Sequence, residues 1–316
     1  MRWIWLGACL ALTLCGPAVA AQERYPLSIP TPKGSSAPTY QQYSVLARDD
    51  LKLNVHEWAP TKRVAGKPVI LFIHGIGMHG EPYASIAGGF TARGLVLVVP
   101  DLRGHGRSEG KREELAAPQV LRADLGAVIG HVNRRYPDAS IVLAGESMGG
   151  LLAADYAWRG ERRVAGLALL APAFFIKPSP PELGDLLIPG FISLDSEVRL
   201  KSSTSEQSGF IKARRADSLA LHKVSIKSYL AVLGLLQTEV ALAVTEIKQP
   251  VLVCVAGKDQ IVDSVATKRF YDNIATPKLE KTWRQWDDAF HTVCWDPATP
   301  EWVPELVRWM LKHSPN

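Results

Sequence analysis

The sequence has few cysteines and few of the patterns that hold metals or nucleotides. Of its four cysteines, Cys9 and Cys15 lie in the apolar N-terminal stretch, so only Cys254 and Cys294 belong to the body of the chain. A scaffold built on disulfides is therefore excluded. No His, Cys and carboxylate cluster has metal-ligand spacing, and no dinucleotide fingerprint follows the first buried strand. We predict no metal and no cofactor.

The chain also carries only a small excess of positive charge. The chain has 36 basic and 31 acidic side chains, which gives a formal net charge of +5. The basic residues are spread along the chain apart from short runs such as Arg214-Arg215, so nucleic acid is not expected as a partner. The excess is compatible with contact at an anionic membrane surface.

The one long apolar run lies at the N-terminus. Arg2, the apolar residues Trp3 to Leu14 and the small residues Ala18-Val19-Ala20 form the pattern of a signal peptide over residues 1–21. The run is too short to span a bilayer comfortably. We expect export to a periplasm or the medium, with cleavage after Ala20 favoured over a lipid anchor at Cys9 or Cys15.

The two remaining cysteines are predicted to be buried and free. Cys254 lies inside a predicted strand, about 16 Å below the edge where that strand ends. Cys294 follows a loop that we place at that edge. Bridged cysteines need Cα atoms within about 7 Å, so a disulfide is not expected.

An alternation of strands and helices follows an extended leader over residues 22–40. A hairpin is predicted at Tyr43–Ala47 and Leu51–Trp58. Buried strands and amphipathic helices then alternate, which indicates an α/β fold. We predict a mostly parallel, eight-stranded sheet with helices on both faces. The predicted later strands are Val69–Ile73, Leu95–Val99, Ile141–Ala144, Val164–Leu170, Val251–Ala256 and Leu279–Trp286.

The alternation is interrupted at residues 173–249, where several prolines, an apolar stretch from Leu183 to Leu194 and a serine-rich stretch occur. Two helices are predicted there, near Ala216–His222 and Ser225–Thr245. We interpret this segment as a cap inserted between two parts of one core, residues 41–172 and 250–316. The cap is also where membrane contact is expected.

The motif Gly145-Glu146-Ser147-Met148-Gly149 stands between an apolar strand and a helix rich in small residues. Strand, G-x-S-x-G and helix form the pattern of a nucleophile elbow, in which a tight turn exposes the serine hydroxyl. Glycines on either side allow the strand and helix to approach closely. Ser147 is therefore the candidate nucleophile.

A serine nucleophile needs a base, and a base needs an orienting acid. His291 follows the last predicted strand, and Asp259 follows the strand Val251–Ala256, so both lie at strand ends in the order Ser, acid, His. Asp263 is the rival acid, but it stands where a helix N-cap is expected. Asp287 and Asp288 are too close to His291 in sequence.

An oxyanion hole needs two backbone N–H groups. Met148, the residue after the nucleophile, would supply one, and Ile76 in the glycine-rich stretch after the strand Val69–Ile73 would supply the other. We expect His74 to be a hydrogen-bonded structural residue, and glycine turns to close the loop at Asp101–Ser108. His56, His131, His222 and His313 are expected to be surface or packing residues.

Together these motifs resemble the monoacylglycerol lipase and lysophospholipase branch of the α/β-hydrolases, which is similar to the S33 serine aminopeptidases. The resemblance runs from about residue 43 to 312. It implies a triad at Ser147, Asp259 and His291 and oxyanion donors at Ile76 and Met148. Glu146 stands where many members have histidine, which should not alter the mechanism. The cap departs most from the family.

The resulting expectation is a serine hydrolase that cleaves carboxylic esters, with monoacylglycerols or lysophospholipids favoured as substrates. Acyl transfer to an alcohol and cleavage of an amide or peptide by the same triad remain open. A non-catalytic binding protein on a hydrolase scaffold is the third alternative.

Overall fold

The computed structural model describes residues 25, 35–160, 163–177, 197–199 and 209–313. One eight-stranded sheet runs through it. Its strands are β1 (Thr39–Leu46), β2 (Lys52–Ala59), β3 (Val69–Ile73), β4 (Val96–Pro100), β5 (Ile141–Glu146), β6 (Gly166–Leu170), β9 (Val251–Ala256) and β10 (Lys281–Trp286), and a separate pair in the cap is β7 (Glu197–Arg199) and β8 (Lys223–Ser225).

The spatial order of the large sheet is β1-β2-β4-β3-β5-β6-β9-β10. Only β2 runs antiparallel to its neighbours, and all the other pairings in the sheet are parallel. The predicted mostly parallel sheet of eight strands is therefore confirmed. The carboxyl ends of β3, β5, β6 and β9 meet at one edge, where binding sites are expected in such sheets.

Helices cover both faces of the sheet. They are α1 (Ala84–Thr91), α2 (Pro118–Arg135), α3 (Met148–Arg159), α4 (Phe210–Ala216), α5 (Ile226–Leu242), α6 (Ser264–Asn273) and α7 (Trp302–His313). Strand β3 shows how the core divides, because Val69, Leu71 and Ile73 pack with α2, α3 and α5. Its alternate residues Ile70 and Phe72 pack with α1 and α7 on the other face.

The first strand begins earlier than predicted. Thr39 and Tyr40 lie within the predicted leader, yet β1 pairs with β2 from Thr39 onward. Tyr40 is held there because its hydroxyl lies 2.9 Å from Nδ1 of His56 and its ring lies 5.3 Å from that of Trp58. Residues 22–24 and 26–34 of the leader lie outside the described residues, as do the signal segment and the stretch Leu183–Leu194.

The prediction of a helix at Ala216–His222 is wrong. Helix α4 lies earlier and ends at Ala216. The Asp217 carboxylate then accepts the Leu219 N–H at 2.9 Å, which closes a turn. Residues Lys223–Ser225 form a strand with Glu197–Arg199. The second predicted cap helix is confirmed as α5 and the short 3-10 turn Ala243–Thr245 that follows it.

Both cysteines of the body, Cys254 and Cys294, are buried and unbridged, as predicted. Within the described part of the chain, no helix is both long and apolar enough to cross a bilayer.

Candidate active site

Ser147 lies on the predicted tight turn between β5 and α3. Its backbone has φ 56° and ψ −119°, a conformation that a side chain rarely adopts. A Cβ at Gly149 would overlap the Ile73 carbonyl, and one at Gly145 would overlap the Gly149 backbone. The turn is secured by a 2.9 Å hydrogen bond from Ser147 N–H to the Leu170 carbonyl. The glycines are therefore required by close packing.

His291 stands between Ser147 and Asp259. Its Nδ1 lies 2.8 Å from Oδ2 of Asp259, and its Nε2 lies 2.9 Å from the Ser147 hydroxyl oxygen. With the carboxylate as acceptor, Nδ1–H donates to Asp259 and Nε2 accepts the Ser147 proton. The structure thus brings together three residues that are 144 and 32 positions apart along the chain.

Asp259 is held in place by its own loop. Its Oδ1 accepts the N–H groups of Ile261 and Val262 at 2.8 and 2.9 Å. Burial raises the pKa of Asp259. The charge and hydrogen bond of His291, together with these two N–H groups, lower it by more than burial raises it, so the net pKa shift is downward. The carboxylate is therefore ionised at neutral pH.

The pKa of His291 shifts the other way. Burial disfavours the imidazolium, but the Asp259 carboxylate opposes that effect with its charge and its hydrogen bond, and Glu146 adds to it. The net pKa of His291 is raised. A raised pKa makes the imidazole a stronger proton acceptor, which is what a base for a serine hydroxyl needs.

The loops that hold Asp259 and His291 are joined by their backbones. Gly257 N–H and Lys258 N–H donate to the carbonyls of Trp286 and Ala289, each at 2.8 Å. A Cβ at Gly257 would overlap the Asp287 backbone, so this approach requires glycine. The adjacent pairing of β9 and β10 therefore places the acid and the base side by side.

The rival carboxylates have other partners. Asp263 caps α6 by accepting the N–H groups of Val265 and Ala266, as predicted. Asp288 pairs with Lys258 at 2.8 Å, and Asp287 accepts a hydrogen bond from Gln285. None of them takes the place of Asp259 beside His291.

Of the two predicted oxyanion donors, Met148 follows Ser147 in the elbow and Ile76 lies in the loop after β3. Gly75 lies against the nucleophile, since a Cβ there would be 3.4 Å from the Cβ of Ser147. Gly77, on the other side of Ile76, has φ 75°, a backbone conformation that favours glycine. Within the described part of the chain, neither the Ile76 N–H nor the Met148 N–H donates a hydrogen bond. Their role as oxyanion donors stays a prediction.

His74 supports this loop from inside the protein, as predicted. It is fully buried, and its Nε2 accepts the Leu102 N–H at 3.0 Å. Its Nδ1–H lies 2.8 Å from the Gly75 carbonyl. Burial and the neighbouring His105 lower the pKa of His74 to about 3. A neutral, immobilised ring of this kind positions the backbone and does not act as a base.

The loop after β4 also serves the elbow. Asp101 accepts the N–H groups of Gly80 at 2.6 Å and Arg107 at 2.9 Å. It therefore connects the loop after β3 with the loop after β4. A Cβ at Gly106 would overlap the Asp101 carboxylate, which agrees with the predicted glycine turn. Among the described residues, no three His, Cys, Asp or Glu side chains converge as metal ligands.

His56 is more than the surface or packing residue that we expected. It is buried, and its Nε2 lies 3.0 Å from Asn54 Nδ2 and 3.4 Å from Asp101 Oδ1. The other three histidines agree with the prediction. His131 stacks on Tyr43, His222 is exposed, and His313 lies against Trp309.

A contact between the cap and the loop after β3 was not predicted from the sequence. Asp217, just after α4, lies 2.9 Å from Nε2 of His79 and accepts the Tyr25 hydroxyl at 2.8 Å. Leu221 N–H donates to the Gly77 carbonyl at 2.8 Å. The cap thus contacts the loop that carries Ile76.

Tyr25 is the one described residue of the leader before residue 35, and it is buried. Its ring centre lies 5.8 Å from that of Phe210 and 6.3 Å from that of Trp295. Phe210 begins α4, and Trp295 follows His291 by four positions. Tyr25 therefore contacts both the cap and the loop of the candidate base.

Most of the chain is similar to known proteins. Residues 65–298 match the family model described as serine aminopeptidase, S33. The chain is 26% identical over 247 residues to phospholipase YtpA of Bacillus subtilis, covering 76% of this chain and 92% of that protein. It is 24% identical over 282 residues to monoacylglycerol lipase of Mycolicibacterium smegmatis, covering 87% and 98%.

Solved structures share the fold. A soluble variant of monoglyceride lipase from Saccharomyces cerevisiae, solved with a substrate analogue, superposes with a TM-score of 0.74 at 17% identity, covering 92% of this chain and 99% of that one. A monoacylglycerol lipase of Paleococcus ferrophilus superposes with a TM-score of 0.68 at 22% identity, covering 83% and 99%. The predicted α/β-hydrolase fold is thereby confirmed.

Proposed function

The chain belongs to the serine aminopeptidase S33 family of α/β-hydrolases, and from that membership we propose that it is a serine hydrolase that cleaves carboxylic esters of lipids. One observation carries the proposal. The Ser147 hydroxyl, the His291 ring and the Asp259 carboxylate form an unbroken line of hydrogen bonds of 2.9 and 2.8 Å. This is the arrangement that activates a serine nucleophile.

In the proposed reaction, Ser147 Oγ attacks the ester carbonyl carbon while His291 Nε2 takes the hydroxyl proton. The negative charge that develops on the carbonyl oxygen is met by the N–H groups of Ile76 and Met148. The bond to the leaving alcohol then breaks, and His291 returns the proton to the alcohol oxygen. Asp259 holds the ring tautomer and stabilises the imidazolium.

The acyl group is now an ester of Ser147. A water molecule attacks its carbonyl carbon, and His291 accepts one proton from that water. When the tetrahedral intermediate collapses, the proton goes back to Ser147 Oγ and the carboxylic acid leaves. The enzyme returns to its starting state, and no cofactor enters the sequence of steps.

Monoacylglycerols and lysophospholipids are the proposed substrates. The relatives named above are a phospholipase and monoacylglycerol lipases. In this chain the Ala173 N–H donates to the Ser147 carbonyl at 3.0 Å, which holds the segment after β6 against the elbow. The apolar residues Phe175 and Ile176 come next in that segment. Both are half-buried and pack on the main core, which provides apolar surface for an acyl chain.

The test is a panel of monoacylglycerols, lysophospholipids and p-nitrophenyl esters of increasing chain length, with Ser147→Ala as the control. Ester turnover by the wild type and none by Ser147→Ala is the expected result. Ester products formed with added alcohols would reveal acyl transfer, and turnover of amides alone would favour a peptidase. Failure of a fluorophosphonate probe to label Ser147 would indicate a non-catalytic binding protein.

We also propose that the protein is exported and that its cap is the part that contacts membrane surfaces. The proposals come from the signal-peptide pattern of residues 1–21 and the net charge of +5. N-terminal sequencing of the protein from an exported fraction should give Ala21 as the first residue. Cosedimentation with anionic vesicles, absent with neutral ones, is expected for the cap contact.

A further inference from the structure

Glu146 is a buried carboxylate that the proposed reaction does not use. It ends β5 and directly precedes the nucleophile, and only 3% of it is exposed. Placing a charge there is costly unless it is hydrogen-bonded. Its partners therefore indicate what it is for.

The partner of Glu146 belongs to the loop of His291. Its Oε1 accepts the Cys294 N–H at 3.0 Å, across 148 positions of sequence. The carboxylate also acts on the Cys294 thiol, whose pKa is raised by burial and by Glu146. Cys294 lies in the 3-10 turn Val293–Trp295, and Val293 N–H donates to the His291 carbonyl at 3.0 Å. The elbow and the histidine loop are thus connected through Glu146.

The carboxylate also acts on the electrostatics of the site. Burial raises the pKa of Glu146 to about 7, although Cys294 and His291 work in the opposite direction. After Asp259, the charge of Glu146 is a further cause that raises the pKa of His291. The titratable groups that interact electrostatically with Glu146 are Cys294, His291, Asp259 and Tyr83.

We propose that Glu146 is a positioning residue for His291. Its carboxylate holds the histidine loop against the elbow through the Cys294 N–H, and it provides a second negative charge near the imidazole. The proposal rests on the proposed esterase function, because it concerns the base of that reaction.

If Glu146 acts in this way, the fall in activity on the acid side of the pH–rate profile, its acid limb, depends on the coupled titration of Glu146 and His291. His291 acts as a base only when neutral, so activity falls as pH drops through its pKa. A negative Glu146 raises that pKa, and protonation of Glu146 removes the effect. The limb therefore reports the pair and not His291 alone.

Two variants separate the two parts of the proposal. Glu146→Gln keeps an oxygen that can accept the Cys294 N–H but loses the charge. Its acid limb in kcat/KM should shift to lower pH by about 0.5–1 unit, with kcat on the plateau within about threefold of the wild type. Glu146→Asp keeps the charge but is too short for the same contact. Its kcat should fall about 5–50-fold with little change in KM, as expected when a positioned base is misaligned.

Asp124→Asn provides the matched control. Asp124 is a buried carboxylate on α2 that binds Arg103 at 2.8 Å and lies outside the triad. Its loss should lower stability and leave the acid limb in place. The wild type and Ser147→Ala are assayed alongside, so an inactive wild type refutes the proposed function and not the role of Glu146.

The readouts are the pH dependence of kcat/KM and of the rate of fluorophosphonate labelling at Ser147. An active wild type, with Glu146→Gln showing the same acid limb as Asp124→Asn, would overturn the electrostatic part of the proposal. Unchanged kcat in Glu146→Asp would overturn the positioning part. If one variant fails to fold, the other still tests its own part.

Discussion

The Asp217 carboxylate of the cap lies 2.9 Å from Nε2 of His79 in the loop after β3, and both side chains are buried. Burial opposes ionisation of Asp217, but the bond and charge of His79 outweigh it, so the pKa of Asp217 is lowered. The same oxygen accepts the Tyr25 hydroxyl. One carboxylate therefore connects the cap, the leader and the loop after β3.

Replacing this carboxylate should loosen all three. In Asp217→Ala, the His79 ring nitrogen and the Tyr25 hydroxyl lose a buried partner, and the free energy of unfolding should fall by about 2–4 kcal/mol. Tyr25→Phe removes only the hydroxyl and should cost about 1 kcal/mol. Urea unfolding of both variants measures the difference. Equal midpoints for Asp217→Ala and the wild type would contradict the role given to Asp217.

The proposed triad predicts a specific loss of activity in Asp259→Asn. An asparagine can occupy the same space, but it stabilises neither the imidazolium nor the required tautomer of His291, so kcat should fall about 10³–10⁴-fold. Turnover of a p-nitrophenyl ester measures the loss. Asp263→Asn is the control, because asparagine is also an N-cap residue, and it should retain wild-type kcat.

Two helical glycines, one buried and one exposed, should respond in opposite ways to alanine. Gly149→Ala places a methyl group on the Ile73 carbonyl and should abolish activity or folding. Gly234 lies on the exposed face of α5, with nothing within 4 Å of a Cβ. Gly234→Ala should therefore raise the free energy of unfolding by about 0.5–1 kcal/mol. Thermal melts and ester assays distinguish them, and a fully active Gly149→Ala would show that the elbow packs less closely.

Stability should decline on the acid side of neutrality. Burial lowers the pKa of His74 to about 3 and that of His105 to about 4, while in the unfolded chain both groups titrate near 6.5. Between these values the unfolded state binds more protons, so stability is full above pH 6.5 and is lost as pH falls from there toward pH 3.

Tm measured from pH 7.5 to 4.5 should therefore drop steadily below pH 6.5. His105→Asn removes one of the two groups and should flatten the curve. His222→Asn, at an exposed position, should leave its shape unchanged. A wild-type Tm that does not vary over this range would contradict the neutral, buried state of the two rings.

Much of the fold and of the candidate site could be predicted because the signals are local. An unbroken apolar run predicts a buried strand such as β3, and G-x-S-x-G between a strand and a helix predicts the elbow at Ser147. Asp259 and His291 follow because strand ends of a parallel sheet meet at one edge. These inferences need only short stretches of sequence and the rules of sheet topology.

The parts that were missed depend on contacts between distant stretches. Nothing near Asp217 signals that its partners are His79 and Tyr25, which are 138 and 192 positions away. The other oxygen of this carboxylate accepts the Leu219 N–H and closes the turn after Ala216. The sequence alone assigns no role to Glu146, because its hydrogen bond with the Cys294 N–H joins positions 148 residues apart.

The position of Tyr25 also affects the order in which parts of the chain can fold during synthesis. During synthesis Tyr25 is made early, whereas its ring neighbours Phe210 and Trp295 come about 190 and 270 residues later. Closing so long a loop is entropically costly and follows local structure formation. Tyr25 must therefore wait until almost the whole chain has been synthesised before it can pack in its place, and a ribosome that stops before codon 295 leaves Tyr25 without the Trp295 side of its pocket.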